Sequence, residues 1–168
     1  MYIQRKIDVE SDREFLLNLH FTAIYESGTP MFRSVPLEKA REQWLETSQV
    51  EEFLSSLSKS FAEKRTVAEI WEDDGLPIAF VWVKFTDVVE YHFTFAEVVD
   101  IAVISEYRRR GIATMIMGHV EQVAKERGAN VLRSGTGIDN QASRRLHEKL
   151  GFQVIYFNYE KPLRHIKN

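Results

Sequence analysis

The segment from Glu97 to Arg127 constrains the fold of this chain most strongly. Its first part, Glu97–Ile104, is apolar and β-branched, which is typical of a buried strand. A turn rich in arginine follows. From Gly111 onward apolar residues recur at helical spacing as far as Gly128, and glycine commonly ends a helix. A buried strand that runs through a short turn into an amphipathic helix predicts a layered α/β protein.

The turn Arg108–Thr114 has the features of an anion-binding site. Backbone N–H groups at the start of a helix lack intrahelical partners and lie at the positive end of the helix dipole, where phosphates bind. Gly111 has no Cβ and lets a phosphate approach the backbone, while Arg108, Arg109 and Arg110 add positive charge. Neither G-x-x-x-x-G-K-[ST] nor G-x-G-x-x-G is present. The sequence therefore predicts a pyrophosphate at this turn.

The whole chain, residues 1–168, reads as one mixed α/β domain. Strand patterns occur at Tyr2–Ile7, around a hairpin turn at Asp74-Gly75, at Asn130–Thr136 and at Gln153–Tyr159. Helical patterns occupy most of the first third and the segment before the last strand. The predicted order is strand, helices, hairpin, strand, helix, strand, helix and strand.

Composition excludes several functional classes. The absence of cysteine removes disulfides, a cysteine acyl-enzyme and cysteine-ligated metal sites, and no histidine has metal-ligand spacing. The longest apolar runs are far below the ~20 residues of a membrane span, and Met1–Asp8 does not resemble a signal peptide. We therefore expect a cytoplasmic protein without a membrane partner. A net charge of −3, with basic residues concentrated in the C-terminal half, disfavours nucleic acid and suits an anionic ligand.

Two motifs connect the chain to a known family. The R-x-x-G-x-A turn from Arg108 to Ala113 matches the pattern [QR]-x-x-G-x-[GA], and Asn140 opens a short helix that ends in Leu150-Gly151-Phe152. Over residues 66–160 the chain resembles the GNAT superfamily of N-acetyltransferases. The resemblance implies an acetyl-CoA-dependent acyltransferase. It also implies a twisted, mixed and mostly antiparallel sheet, with a splayed parallel strand pair and four to five flanking helices.

The resemblance also implies where acetyl-CoA binds. The pyrophosphate is expected on the backbone amides of the turn, and the pantetheine arm between the splayed strands, as an added strand. Residues implied in cofactor binding are Ile101, Val103, Arg108, Arg109, Arg110, Gly111, Ile112, Ala113, Thr114, Asn140 and Ser143. No metal is implied. Asn140 fits a helix N-cap equally well, so both roles stay open.

In such enzymes the amine attacks the thioester directly, which requires a base and benefits from an acid. Glu97 is the expected base, because its offset from the turn resembles that of a strand glutamate in the histone-acetylating branch of the family. Burial on its apolar strand would make it a better base. Asp100 is the second candidate. The N–H of Val103 is expected to bind the thioester oxygen. His147 stands where many relatives carry tyrosine, and it either protonates the leaving thiolate or packs against Phe152.

The acceptor is expected to be a primary amine of a small molecule, or the lysine or N-terminal amine of a protein. In the family the acceptor cleft is shaped by segments that correspond here to Ile24–Leu37 and Thr86–Phe95. Both are rich in aromatic and acidic residues, which favours a cationic amine. The alternative is a non-catalytic acyl-CoA-binding sensor or scaffold. The expected edge strand Gln153–Tyr159 leaves pairing of two copies into a homodimer open.

Overall fold

The protein folds as a five-stranded sheet with helices packed on both faces. The computed structural model describes residues 1–62, 65–161 and 163. Within these residues the elements are β1 (Tyr2–Lys6), α1 (Arg13–Glu26), α2 (Pro30–Arg33), α3 (Leu37–Leu45), α4 (Gln49–Ala62), β2 (Thr66–Asp73), β3 (Leu76–Val88), β4 (Phe93–Val103), α5 (Ile112–Glu126), β5 (Val131–Ser134) and α6 (Gln141–Lys149). Helices α1 to α4 cover one face of the sheet and α5 covers the other.

The sheet confirms the expected mixed, mostly antiparallel topology. Its strands lie in sequence order, and every neighbouring pair is antiparallel except β4 and β5, which are parallel. Pairing between β4 and β5 covers only Phe95–Val98 against Val131–Ser134, although β4 continues to Val103. The parallel strands therefore part midway along β4. The described part holds six α-helices rather than four to five, because the first third divides into four and includes the one-turn α2.

A β-bulge in β4 changes which face its side chains occupy. Opposite Trp82 lies Asp100, whereas opposite the next residue, Val83, lies Val98, so Val99 is the extra residue. Without a bulge, residues two apart in a strand lie on the same face. With it, Val98 packs in the core under α5, while Asp100 faces α1. The bulge thus delivers one carboxyl group to the helical layer that covers the opposite face.

The predicted last strand, Gln153–Tyr159, is wrong for the described structure. Those residues pair with no described strand, and Val154, Ile155 and Phe157 are exposed. The segment runs towards α2, where Glu160 accepts a hydrogen bond from the Met31 N–H at 3.4 Å. Its β-forming residues predicted a strand, but strand preference depends on finding a neighbouring strand. The homodimer stays a prediction.

A buried ion pair fixes the start of α1 against the sheet. The Arg5 guanidinium donates two 2.8 Å hydrogen bonds to the Asp12 carboxylate and one 2.6 Å bond to Glu72. Asp12 is buried and also accepts the N–H of Asp8 at 2.9 Å. The hydrogen bond from Arg5 holds the pKa of Asp12 below its ordinary value, against the opposing effect of burial. Three elements, β1, β2 and α1, are joined at this one point.

We expect Arg5→Met to lower the free energy of unfolding by about 2 kcal/mol at neutral pH, because it leaves a buried carboxylate without its charged donor. Since the folded pKa of Asp12 is lowered, its contribution is complete above the ordinary pKa and is lost as pH falls through the folded value. The difference from wild type should therefore shrink as pH falls below the ordinary carboxyl range, near about pH 4. Urea denaturation at a series of pH values measures it.

Arg13→Met is the matched control, because the Arg13–Glu51 pair is exposed on both sides. Exposed pairs contribute little, so we expect a change of at most about 0.5 kcal/mol at any pH. Equal effects of the two substitutions would show that the Arg5–Asp12 pair does not anchor α1.

Candidate active site

A cavity of about 580 Å³ lies where β4 and β5 part. Its wall consists of β4 between Val98 and Val103, one face of α1, the turn that leads into α5, and α6. Along α1 the lining residues His20, Ala23, Ile24 and Ser27 follow helical spacing, so they share one face of the helix. The cavity therefore joins the predicted phosphate turn to the helical layer on the other side of β4.

Most of the residues implied in cofactor binding line this cavity. They are Ile101, Val103, Arg108, Arg109, Gly111, Ile112, Ala113, Thr114, Asn140 and Ser143. Arg110 is not part of the wall, because its guanidinium lies over the ring of Tyr107, 4.6 Å from the ring centre. The side chain of Ile112 is 2% exposed and belongs to the core under α5. The side chain of Ile112 is therefore not available to a ligand.

The turn before α5 presents backbone N–H groups that no side chain caps. Arg109 and Gly111 both have left-handed backbone conformations, with φ of 64° and 82°. Such a conformation is costly for residues other than glycine, so Arg109 stores strain here. Helix α5 begins at Ile112, and its N-terminus receives no side-chain cap hydrogen bond. Uncapped N–H groups at a helix N-terminus are the features that an anion site needs, and the site itself stays a prediction.

The edge of β4 beyond Val98 is open towards the cavity. The N–H of Ile104 donates to the Ile78 carbonyl of β3 at 2.9 Å. Successive N–H groups of a strand point in opposite directions, so those of Val103 and Ile101 point away from β3. Since β5 has already parted from β4 at this level, these two groups meet no described strand. They are the two backbone positions expected to bind the extended arm of the cofactor.

Arg108 joins α1 to the end of β4. Its Nε donates to the Val103 carbonyl at 2.9 Å, and one Nη donates to Glu26 at 2.6 Å. The Arg108 side chain therefore lies along the cavity wall rather than projecting freely from the turn. It neutralises Glu26, the acidic residue at the end of α1 that lines the cavity.

Glu97, the expected base, lies outside the cavity wall. It is exposed and lies in the part of β4 that still pairs with β5. Its neighbour on β3 is Lys84 and its neighbour on β5 is Arg133. The sequence argument for a useful base required burial, and that condition is not met. Its role stays a prediction without support from this geometry.

Asp100, the second candidate, is buried beside a residue that the sequence analysis missed. The Nδ1 atom of His20 lies 2.5 Å from Oδ2 of Asp100, and both residues line the cavity. The side chain of Asp100 is 6% exposed and that of His20 is 19% exposed. Burial raises the pKa of the Asp100 carboxyl, while the hydrogen bond and the charge of His20 oppose that rise.

His20 could have been noticed only as a polar residue on an apolar helix face. It stands among Leu16, Leu19 and Ala23, which carry the helical spacing of α1. Its partner lies 80 residues away in the chain, so no local pattern pairs the two. The bulge at Val99, which turns Asp100 towards α1, has no sequence signal of its own.

His147 lines the cavity and packs against Phe152, which was the alternative role considered for it. Their ring centres are 5.0 Å apart with the rings nearly perpendicular. Nδ1 lies 2.7 Å from the Ser143 carbonyl, an acceptor, so Nδ1 carries the hydrogen and Nε2 the lone pair in the neutral ring. Nε2 is buried without a hydrogen-bond partner among the described residues. Neutral His147 can thus accept a hydrogen bond at Nε2 but cannot donate one there.

Asn140 caps α6, as its alternative role required. Its Oδ1 accepts the N–H of Ser143 at 3.1 Å, and its Nδ2 donates to Oγ of Ser27 at 3.5 Å. Ser27 also lies 3.4 Å from the hydroxyl of Thr136 in the loop after β5. These contacts connect α6 and that loop to the end of α1 across the cavity.

Only part of the expected acceptor cleft lines this cavity. The segment Thr86–Phe95 is not in its wall, and Asp87 is paired there with Arg65 and Thr94. From the other segment, Ile24 and Glu26 do line it. Within the described ranges, no three histidine, aspartate or glutamate side chains are grouped as metal ligands would be. No helix there is both long and apolar enough to cross a bilayer.

Several known proteins resemble this chain over part of its length. An aminoglycoside N(6')-acetyltransferase type 1 from Acinetobacter baumannii is 43% identical over 61 residues, or 34% of this chain and 42% of the relative. N-alpha-acetyltransferase 30 of Schizosaccharomyces pombe is 40% identical over 52 residues, or 31% of this chain and 35% of the relative. The chain thus spans less than half the length of these curated relatives.

A solved structure extends the likeness over almost the whole fold. A predicted acetyltransferase with acetyl-CoA from Clostridium acetobutylicum superposes with a TM-score of 0.70 at 20% identity, covering 97% of both chains. At that identity the likeness shows the fold alone. The model of the acetyltransferase (GNAT) family matches residues 22–152, well over half of the sequence. The chain therefore belongs to the GNAT family of acetyltransferases.

Proposed function

We propose that this protein transfers the acetyl group of acetyl-CoA to a primary amine by direct attack within its cavity. One observation carries the proposal. A single cavity joins an uncapped helix N-terminus, an unpaired strand edge and a buried pair of titratable side chains. The helix N-terminus would bind a pyrophosphate, and the strand edge would bind an extended arm that contains amides. The titratable pair could take the proton that the amine must lose.

The residues present fit coenzyme A. The pyrophosphate would bind the backbone N–H groups from Arg109 to Thr114. The approach to Gly111 is open, because no atom beyond its chain neighbours lies within 4 Å of the position that a Cβ would take there. The N–H of Val103 would bind the thioester oxygen, and the backbone of Ile101 would continue the same strand-like contact with the cofactor. His147 also lines the cavity beside the expected arm, although its Nε2 atom is itself buried. The start of α5 has no side-chain cap, whereas the Ile101 N–H also contacts the Asp100 carboxyl and would be shared with the arm.

Acetyl-CoA supplies an acetyl group already activated as a thioester. The chain's own part is to hold that group, to exclude water and to manage the protons of the amine. An ammonium group has no lone pair, so a base near the acetyl group is needed before attack. Thiolate is a fair leaving group, and a proton from solvent is sufficient to convert it to the free thiol. His147 donates from Nε2 only when its ring is fully protonated, so we assign it no obligatory acid role.

A cofactor-binding test uses two glycines with nearly the same backbone. Gly111 and Gly75 have φ of 82° and 80°, and at both positions the space within 4 Å of where a Cβ would lie is open. Gly75 lies in the β2–β3 hairpin, outside the cavity. We expect Gly111→Asp to weaken acetyl-CoA binding by at least about 100-fold, because a carboxylate would replace the approaching phosphate. Gly75→Asp should bind as wild type does, and calorimetry measures both.

Both substitutions place an L-residue in the left-handed region, so both should lose about 1 kcal/mol of stability. Thermal melting checks that the two losses match, which separates strain from the loss of the site. Equal affinity of the two variants would contradict a pyrophosphate at this turn. A wild type that binds acetyl-CoA but releases no free thiol with any amine would instead indicate a sensor or scaffold.

For the acceptor we propose a small, cationic primary amine, and aminoglycosides as the class to test first. The partial relatives named as aminoglycoside N(6')-acetyltransferases support that choice. The charge of the cavity wall does not by itself select a polycation. Glu26, which could attract one, is already neutralised by its ion pair with Arg108. Selection would therefore depend on hydrogen bonds and on the shape of the α1 face.

A panel of amines tests the acceptor class. An aminoglycoside, a linear polyamine, a lysine-containing peptide and a peptide with a free N-terminus are each offered with acetyl-CoA, and free thiol is measured. We expect the aminoglycoside to give a kcat/KM at least about 10-fold above both peptides, equivalent to about 1.4 kcal/mol of transition-state binding. A peptide that is the best acceptor would contradict the small-molecule assignment and leave the transferase activity intact.

A further inference from the structure

We propose that His20 and Asp100 form the proton-accepting pair of this site, with His20 Nε2 taking the proton of the incoming ammonium. The inference rests on the proposed transferase function and names the groups that perform its first chemical step. Neither the helix histidine nor its pairing with a strand carboxyl follows from the motifs that define the cofactor turn.

The imidazole is held in one orientation by three neighbours. Asp100 fixes Nδ1 at 2.5 Å. The ring of Phe53 stacks on it with centres 3.8 Å apart and planes 6° from parallel, and Trp44 lies at 5.9 Å. Asp100 occupies the Nδ1 atom of His20 and Phe53 covers one face of its ring, so Nε2 is the remaining polar atom of the ring. Within the described residues no hydrogen bond occupies that atom, and His20 lines the cavity.

The hydrogen bond also fixes which nitrogen can act as a base. With Asp100 ionised, its carboxylate only accepts hydrogen bonds, so Nδ1 of neutral His20 carries the hydrogen and Nε2 carries the lone pair. When Nε2 takes a proton, the resulting imidazolium lies against the negative charge of Asp100, and the buried pair becomes neutral overall. This is the role of the third group in other base-orienting arrangements. Asp100 acts through His20 and is a positioning residue.

The position along β4 suits this role. Asp100 precedes Val103 by three residues, which is about 10 Å along a strand, and the cofactor turn begins beyond Val103. The proton-accepting pair thus lies on the far side of the expected thioester position from the pyrophosphate. An amine can approach the acetyl group from that end of the cavity without crossing the cofactor.

Proton and bond changes balance as follows. The ammonium gives one proton to His20 Nε2 and becomes a neutral amine, whose nitrogen then forms a bond to the acetyl carbon. The carbon–sulfur bond of the thioester breaks, and its electron pair leaves on sulfur. The second proton lost by nitrogen reaches the thiolate, directly or through water, and gives the free thiol. His20 returns its proton to solvent, so each turnover releases one proton.

Other charged groups around the cavity do not duplicate this arrangement. Phe53 of α4 and Trp44 of α3, which pack on His20, are uncharged. The remaining titratable side chains of the wall are Glu26, Tyr107, Arg108, Arg109, Arg145, His147 and Lys149. Glu26 and Arg108 neutralise each other, the arginines and the lysine are cations, and His147 directs Nδ1 to a backbone carbonyl.

The chain offers a matched control for substitution of His20. His119 of α5 also pairs with a strand carboxylate, with its Nε2 3.0 Å from Glu69, but on the opposite face of the sheet and outside the cavity. His119→Gln therefore removes a helix–strand contact outside the cavity, although His119 and Glu69 lack the hydrogen bond that joins His20 to Asp100. Asp100→Asn keeps the shape and the hydrogen-bond acceptor of the carboxyl group but removes its charge.

The test measures acetyl-CoA affinity, kcat and its pH dependence for these variants with the best amine of the panel. For His20→Gln we expect acetyl-CoA affinity within about 3-fold of wild type and kcat about 100-fold lower at neutral pH, the usual loss of a general base. The inflection of kcat between about pH 5 and 8, where imidazole groups titrate, should disappear. Asp100→Asn should lower kcat and keep a shifted inflection, and His119→Gln should match wild type.

Each contrary outcome has a distinct meaning. A folded His20→Gln variant with wild-type kcat and pH profile would overturn the pair and leave the transferase intact. A wild type that binds acetyl-CoA without turnover of any amine would overturn both. Imidazole nitrogen resonances give an activity-independent check: the neutral His20 ring should carry its hydrogen on Nδ1, and a hydrogen on Nε2 would contradict the mechanism.

Discussion

The site depends on one feature of the sheet, which is that the parallel strands β4 and β5 pair for only part of the length of β4. Because pairing ends at Val98 and Ser134, the N–H groups of Ile101 and Val103 lie on an edge that no described strand covers. The same separation opens the cavity between α1 and α6. A fully paired β5 would satisfy these groups and leave no room for an extended ligand.

Helix α1 makes this opening into a candidate active site rather than a gap in a sheet. The Arg5–Asp12 pair fixes its first turn, Arg108 and Glu26 fix its last turn to the end of β4, and Ser27 meets Asn140. Between these ends, the helix presents His20 to the cavity. Because α1 is anchored at both ends, it cannot shift far along the sheet. The fold itself therefore holds His20 close to Asp100.

The sequence predicted the parts that local physics determines. The turn from Arg108 to Thr114 was predictable because a strand, a glycine and a helix start occur together within a few residues, and the two splayed strands followed from the family resemblance. His20–Asp100 was not predictable, since it needs both a contact across 80 residues and the bulge at Val99. The segment Gln153–Tyr159 shows the opposite error, because β-forming residues do not ensure a partner strand. Glu97 was favoured by its offset and by an expected burial, but in the structure Glu97 is exposed and Asp100 is buried.

Amide exchange measured residue by residue, with and without acetyl-CoA, tests the central claim most directly. If the parted strands and the helix start hold the cofactor, the N–H groups of Ile101, Val103 and Ile112 to Thr114 should exchange more slowly when acetyl-CoA is present. Amides of β2 between Thr66 and Ile70, none of which lines the cavity, should not change. Protection confined to other surfaces, with these amides unaffected, would contradict the account.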